Sequence, residues 1–332
     1  MGEFDLIERY FKRPPRHAAV GVGDDCALWQ PAPGTQMAIS CDMLVQGRHF
    51  FPDVSPRSLG HKALAVNLSD LAACGAKPLA FTLALALPEA NEPWLADFAR
   101  GLFELADAHD CELIGGDTTC GPLNICITVF GEVPVVNGRS LALLRSGAIA
   151  GDDLYVSGSL GDARLALEAQ QGKLTVPDDV LIAAHARLER PTPRVALGQA
   201  LRGVATAAID VSDGLMGDLG HILESSGVGA CVRVDQVVST VGCYAHSATS
   251  RDQPGANLTL EQWRALALSG GDDYELLFTA PPRHRAAVAA AALASQTPVH
   301  LIGRIEAAAG VRLVDDQGQA LPNRYASFDH FA

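Results

Sequence analysis

The chain has 332 residues, of which 48% are hydrophobic and 19% charged, and carries a formal net charge of −13. That length exceeds what one core usually fills, so two domains are expected, and the balance is that of a packed globular protein rather than a disordered chain. The acidic charge weighs against nucleic acid or an anionic membrane surface as a partner, and no apolar run reaches the roughly 18 residues that cross a bilayer.

The start, Met1-Gly2-Glu3-Phe4-Asp5-Leu6, is acidic and has no signal-peptide core, which makes a cytoplasmic protein the expectation. Eight cysteines without a C-x-x-C pair read as mostly buried, reduced thiols. The first half mixes strands and helices. A strand is expected at 36–40, ending in Cys41-Asp42, and Ser55-Pro56 opens a helix that runs to about Ala73. On that helix Asn67 and Asp70 are three residues apart and share a face. Further strands are expected at 81–87, 112–114 and 123–136, with an amphipathic helix at 92–109.

Gly138, Arg139, Arg145, Gly147 and Gly151 mark a loop-rich connector, which divides the chain into 1–137 and 138–332. Beyond it strands are expected at 154–157, 206–209, 230–234, 274–279, 300–305 and 311–314. Helices are expected at 162–171, 177–187, 193–201, 215–225, 260–268 and 282–293, and 235–255 reads as loop. The alternation implies an α/β or mixed α+β architecture in two domains. No short-period repeat is present.

Familiar catalytic signatures are missing. The chain has no G-x-x-x-x-G-K-[ST] loop, no G-x-G-x-x-G, no H-E-x-x-H and no G-x-S-x-G, and its ten histidines lack ligand spacing. What recurs instead is aspartate among small residues. The blocks are Gly21-Val22-Gly23-Asp24-Asp25, Ser40-Cys41-Asp42, Asn67-Leu68-Ser69-Asp70, Gly115-Gly116-Asp117-Thr118-Thr119, Asp210-Val211-Ser212-Asp213-Gly214 and Ser269-Gly270-Gly271-Asp272-Asp273. Any one of them also reads as a turn or a helix cap. Together they suit hard cations that take several oxygen ligands, and six converging blocks would form a multi-metal site. An acidic protein that handles phosphorylated ligands must bring in positive charge, and Mg²⁺ is the usual carrier. The Gly pairs before Asp117 and Asp272 let backbone N–H groups approach phosphate closely. Ser212-Asp213-Gly214 precedes a helix N-terminus, and Arg145 offers a guanidinium clamp.

These blocks, with Gln46-Gly47-Arg48-His49-Phe50 after Asp42, Asp272-Asp273-Tyr274-Glu275, and the closing Phe328-Asp329-His330-Phe331, resemble the thiamine-monophosphate kinase family over essentially the whole chain. The G-x-G-D-D element alone indicates only the wider aminoimidazole-ribonucleotide-synthetase-like superfamily. The resemblance implies the two-domain fold of that superfamily, with N-terminal strands pairing across a homodimer. It implies transfer of the γ-phosphoryl group of ATP to thiamine monophosphate, with several Mg²⁺ ions, as the last step of thiamine diphosphate biosynthesis. By motif position Asp25, Ser40, Cys41, Asp42, Asp70, Asp117, Asp210 and Asp213 resemble the metal ligands. Gly116, Asp117, Arg145 and Ser212 resemble the ATP contacts, and His49, Asp272 and Phe328 the thiamine-phosphate contacts.

Two positions depart from the pattern. Cys41 stands where the family usually has Thr, and since a thiol is a poor Mg²⁺ ligand its backbone carbonyl is the expected donor. Asp272 stands where Glu is common, which shortens its reach by one methylene. Two other readings compete: a different ATP-dependent enzyme of the same superfamily, and a non-catalytic nucleotide or metal sensor. The first tends to carry a reactive Cys near the N-terminus, yet none precedes Cys26 here. The second has no use for His49, Asp272 and Phe328.

Overall fold

The structure is a computed structural model that describes residues 2–244 and 258–325. Two compact units emerge, Met1–Leu71 with Ala76–Ala142, and Ala72–Gly75 with Leu143–Ala332.

In the first unit, helix α1 (Glu3–Leu6) continues into a π-helical turn at Ile7–Phe11. Strand β1 (Thr35–Val45), helix α2 (Pro56–Ala73), β2 (Lys77–Leu87), α3 (Glu92–Ala108), β3 (Glu112–Cys120), β4 (Asn124–Val136) and β5 (Arg139–Ser140) follow. The strands form one mixed sheet in the order β1-β4-β2-β3, with β5 added to β4; only β2 and β3 run parallel. Asn91 starts α3 by accepting from the Trp94 N–H at 3.1 Å, with Pro93 in the first turn. Along β4 the alternate residues Ile125, Ile127, Val129 and Val133 are buried, together with Leu64, Leu68, Phe81, Phe98 and Leu102. The intervening Cys126, Thr128 and Phe130 are only half-buried, and on β1 Ile39 is 62% and Met43 52% exposed. One face of this sheet is therefore core, while the other is exposed at Ile39 and Met43 and carries a smaller apolar cluster of Ala18, Ala27, Trp29, Met37 and Phe130.

In the second unit, β6 (Asp153–Ser157), α4 (Asp162–Gln170), α5 (Asp178–Glu189), α6 (Val195–Ala200), β7 (Ala207–Val211), α7 (Leu215–Ser226), β8 (Gly229–Arg233) and α8 (Val234–Val238) come first. After the undescribed stretch come α9 (Leu260–Ser269), β9 (Glu275–Ala280), a 3₁₀ turn (Pro282–His284), α10 (Arg285–Ala294), β10 (Val299–Glu306), β11 (Gly310–Val314) and β12 (Ala320–Leu321). The sheet order is β12-β11-β8-β10-β6-β9-β7, with only β8 and β11 parallel. Every residue of β6, β7 and β9 is buried, and on one face Leu154, Val156, Ile209, Val211 and Leu277 pack with Leu165, Leu215, Leu219, Ile222, Trp263 and Leu266. Thr259 begins α9 with a capping box to Gln262.

The element order follows the expected alternation, and the architecture is mixed, with antiparallel pairing dominant. Several boundaries differ. Cys41 and Asp42 lie inside β1 rather than past its end, because β4 pairs with β1 as far as Val45. The expected short strand at 112–114 is the start of β3, so Gly115-Gly116-Asp117-Thr118-Thr119 belongs to a strand and not to a loop. The stretch read as loop from 235 begins inside α8, and 245–257 lie outside the described residues. The expectation of mostly buried thiols is corrected: of eight free cysteines only Cys111 and Cys243 are buried, while Cys26, Cys41 and Cys120 are exposed. Cys41 and Cys120 are exposed positions of β1 and β3, and the chain around Cys26 has no regular structure to cover it.

Candidate functional site

In the first unit the carboxylates are set out by β1, α2 and β3. Pairing with β4 fixes β1, and the pleat gives Ser40 and Asp42 the same side of the strand. Ser40 Oγ donates to Asp70 Oδ2 at 2.5 Å, and the Asp42 N–H donates to Asn67 Oδ1 at 3.0 Å. Asn67 is 1% exposed and donates in turn to the Ala63 carbonyl at 3.0 Å, one turn back along α2. The shared face of Asn67 and Asp70 expected from their spacing is thus used: both side chains reach β1. Asn67 acts here as the tie that fixes Asp42.

Asp117 is exposed on β3. The preceding Gly116 has φ 149°, and a Cβ there would stand 1.9 Å from the Leu83 carbonyl oxygen of β2, so no larger residue fits this ladder position. Asp24 and Asp25 are both exposed in the segment after Gly23, where Asp24 Oδ1 accepts from the Asp25 N–H at 2.8 Å. His49 sits in the turn that closes β1, and its Nδ1 accepts from the Val45 N–H at 3.0 Å. That bond fixes the ring and leaves the proton of the neutral imidazole on Nε2.

In the second unit β7 carries Asp210, 5% exposed, and runs through Val211 into Ser212, Asp213 and α7. The N–H groups of Ser212 and Asp213 both donate to Asp218 Oδ2, at 3.1 and 3.2 Å. Asp218, in the first turn of α7, thus occupies the anion position that a helix N-terminus creates. Burial and the neighbouring Asp213 charge push its carboxyl up to about 7, against those two N–H bonds and the guanidinium charge of Arg145. Arg145 itself is exposed, on a segment whose carbonyl accepts from Ser226 Oγ at 3.3 Å. Sequence reasoning missed Asp218; the signal was an acid four residues after Gly214, in the opening turn of a helix.

The loop before β9 closes this half. Asp272 and Tyr274 hold φ of 65° and 51°, the left-handed region that costs non-glycine residues on the order of 1 kcal/mol or more. Two backbone bonds hold them there: Asp272 N–H to the Ser212 carbonyl and Tyr274 N–H to the Val211 carbonyl, each 2.8 Å. Between them, Asp273 is buried and accepts twice from the Gly161 N–H, at 2.8 and 3.0 Å. Burial holds the Asp273 carboxyl well above the usual carboxylate range. Next along the chain Glu275, 0% exposed, accepts from Arg194 Nε and Nη2 at 2.6 Å each, Arg187 Nη2 at 2.7 Å and Ser157 Oγ at 2.6 Å. This ion cluster lies directly behind the Asp272 loop and was not expected from sequence, since Arg187 and Arg194 are some eighty residues away. Phe328 lies outside the described residues.

Within each unit some of the expected residues are brought together: the Ser40 hydroxyl to Asp70 in the first, and the Asp272 N–H to the Ser212 carbonyl in the second. Among the described residues no group of three or more His, Cys, Asp or Glu side chains stands ready to hold a metal ion. The donor chemistry still suits a hard cation. Each set is oxygen-rich, and Asp213 and Asp218 repel each other in a way that a divalent ion offsets.

Residues 23–133 match the AIR synthase related protein N-terminal domain and residues 150–316 its C-terminal domain. The thiamine-monophosphate kinase of Salmonella typhimurium is 46% identical over 341 residues, spanning 100% of this chain and 98% of the relative. The chain belongs to the thiamine-monophosphate kinase family. Its likeness extends to the Escherichia coli K12 protein of that name, 44% identical over 100% of this chain and 98% of the relative. The Bacillus subtilis member is 36% identical, covering 84% and 83%. Among solved structures, the thiamine-monophosphate kinase from Stenotrophomonas maltophilia K279a superposes with a TM-score of 0.80 at 45% identity, covering 92% of each chain. AaThiL complexed with AMPPCP and TMP gives 0.73 at 27% identity, covering 91% of this chain and 89% of that one. The hydrogenase maturation protein HypE in complex with ATP shares the fold, with a TM-score of 0.73 at 19% identity.

Proposed function

We propose that this protein transfers the γ-phosphoryl group of ATP to thiamine monophosphate, giving thiamine diphosphate and ADP in the last step of thiamine diphosphate biosynthesis. The observation that carries this reading is the end-to-end likeness to thiamine-monophosphate kinases, supported by a family structure that holds AMPPCP and TMP together.

The chemistry asks little covalent help of the protein. The attacking atom is an ionised phosphate oxygen, so no general base is required, and catalysis rests on in-line alignment and charge neutralisation. Bound Mg²⁺ supplies the neutralisation between two anionic phosphate chains. Asp25, Ser40, Asp42, Asp70 and Asp117 in the first unit, and Asp210 and Asp213 in the second, are the proposed oxygen ligands. Cys41 would contribute through its carbonyl. Asn67 and the Ser40–Asp70 bond hold two of these carboxylates in place.

Gly116, Asp117, Arg145 and Ser212 are the proposed ATP contacts; exposed Arg145 brings a guanidinium that pairs with phosphate. His49, Asp272 and Phe328 are the proposed acceptor contacts. Asp272 offers a negative charge to the thiazolium, and Phe328 an aromatic face. A homodimer through the N-terminal domain, 1–137, fits β1, an eleven-residue edge strand bearing exposed Ile39 and Met43. A cytoplasmic location fits the sequence, and no helix among the described residues is long and apolar enough to cross a membrane.

The test is incubation with ATP, Mg²⁺ and thiamine monophosphate, followed by chromatography for thiamine diphosphate. No product from protein that still binds ATP would overturn the assignment.

A further inference from the structure

We propose that Asp218 is a positioning residue that holds the ATP side and the acceptor side of the second unit's site together through one stretch of backbone. Asp218 is 4% exposed in the first turn of α7, and its Oδ2 accepts from the N–H groups of Ser212 and Asp213, at 3.1 and 3.2 Å. These N–H groups belong to two consecutive peptide units. The carbonyls of the same two units are also taken: the Val211 oxygen accepts from the Tyr274 N–H and the Ser212 oxygen from the Asp272 N–H, each at 2.8 Å. Asp218 on one side and the loop before β9 on the other thus grip the same two peptide planes.

A trans peptide unit is planar, with its N–H and C=O pointing opposite ways, so fixing one end aims the other. With the N–H ends on Asp218, the Val211 and Ser212 carbonyls are directed at Tyr274 and Asp272. Those two bonds maintain the left-handed φ of 51° and 65° at residues that adopt it only under constraint. The Tyr274 hydroxyl in turn donates to Asp272 Oδ1 at 3.3 Å, which carries the constraint to the carboxylate. The two segments also touch. A Cβ on Gly271 would stand 2.5 Å from the Ser212 carbonyl oxygen, and one on Gly214 2.8 Å from the Ser269 carbonyl oxygen. Glycine on each side is what permits this approach.

The consequence for activity rests on the kinase reading above, in which Ser212 and Asp213 serve ATP and its metal and Asp272 serves thiamine monophosphate. Release of the two N–H groups lets both peptide planes turn. Ser212 and Asp213 then lose their orientation on one side, and Asp272 on the other. Both bonds reach a single carboxylate oxygen, so the position needs an acceptor atom rather than a charge, and an amide oxygen meets that need.

The test compares the full-length parent with Asp218→Ala, Asp218→Asn and Gly271→Ala. Hydrogen–deuterium exchange of the unliganded proteins is followed in peptides spanning 211–214 and 270–274. KM and kcat are measured for ATP and for thiamine monophosphate with Mg²⁺. Asp218→Ala should speed exchange in both peptides and raise both KM values roughly tenfold or more, as misplacement of binding groups by up to about an ångström implies. Asp218→Asn should bring both KM values back near those of the parent. Gly271→Ala presses on the Ser212 carbonyl from the other side and should also raise both, which keeps the test decisive if the Asp218→Ala protein fails to fold. A change confined to the ATP KM would overturn the proposal, and so would a loss of kcat with both KM values kept, the mark of a merely structural role. An asparagine variant as impaired as alanine would overturn it too. Exchange is read without turnover, so a parent that makes no thiamine diphosphate sinks the kinase reading and leaves the exchange result standing.

Discussion

Two Gly-Asp-Asp sequences in this chain look alike and end in different physical states. Gly23-Asp24-Asp25, in the first unit, leaves both carboxylates exposed, with Asp24 capping the next N–H. Gly271-Asp272-Asp273, in the second, splits its pair: Asp272 stands at a strained, half-exposed turn, while Asp273 is buried on the Gly161 backbone. One doublet keeps both carboxylates in water, where a cation can reach them. The other turns its second carboxyl into a structural pin, and Glu275 behind it anchors the strand to two arginines. Identical residue types thus do opposite work, and what separates them is how much backbone and guanidinium is packed against each.

The largest test of that contrast is Glu275→Ala. Removing this acid strands Arg187 and Arg194, whose side chains are only 20% and 15% exposed, so a loss of about 3–5 kcal/mol is expected in denaturant unfolding. Unchanged stability would mean that the cluster is not what fixes the Asp272 turn. Next in size, Asp70→Asn should leave the melting temperature nearly unchanged while turnover falls by roughly 10²-fold, about 3 kcal/mol of transition-state stabilisation. Its Mg²⁺ dependence should weaken with it; retained activity would show the carboxylate to be structural, like Asp273.

The smallest and most specific effect concerns Asp273→Asn. Burial raises the Asp273 carboxyl in the folded state, so over the window above the ordinary carboxylate range the folded protein binds more protons than the unfolded chain. Its contribution to stability therefore declines as pH rises through that window. Asparagine keeps an acceptor for the Gly161 N–H but cannot ionise, so the variant's melting temperature should fall less steeply with pH. A variant that loses more stability at pH 8 than at pH 5 would mean that an ionised Asp273 is required.

Much of the candidate site was legible because its chemistry is local. Asp42, Asp70, Asp117, Asp210 and Asp213 announce themselves as acids in small-residue surroundings, and the spacing of Asn67 and Asp70 already gives their common helix face. Gly116 was also readable as a position of close approach, although the approach is made by the Leu83 carbonyl of a neighbouring strand. Less legible were groups whose role depends on residues far away. Asp218 falls within the helix expected at 215–225, and nothing local predicts that two N–H groups would converge on it. The thiols misled for the same reason: cysteine is usually buried, but Cys41 is exposed and Cys126 half-buried on the sheet face away from the main core of this unit.

The sequence by itself determined the family, the two-part α/β plan and the oxygen-rich make-up of the candidate site, because these depend on residue identity and short spacing. Only the tertiary structure decided which acids remain charged and which are consumed as structure. That depends on desolvation and on partners brought from distant segments, such as Gly161 to Asp273 and Arg194 to Glu275, which no short window of sequence contains.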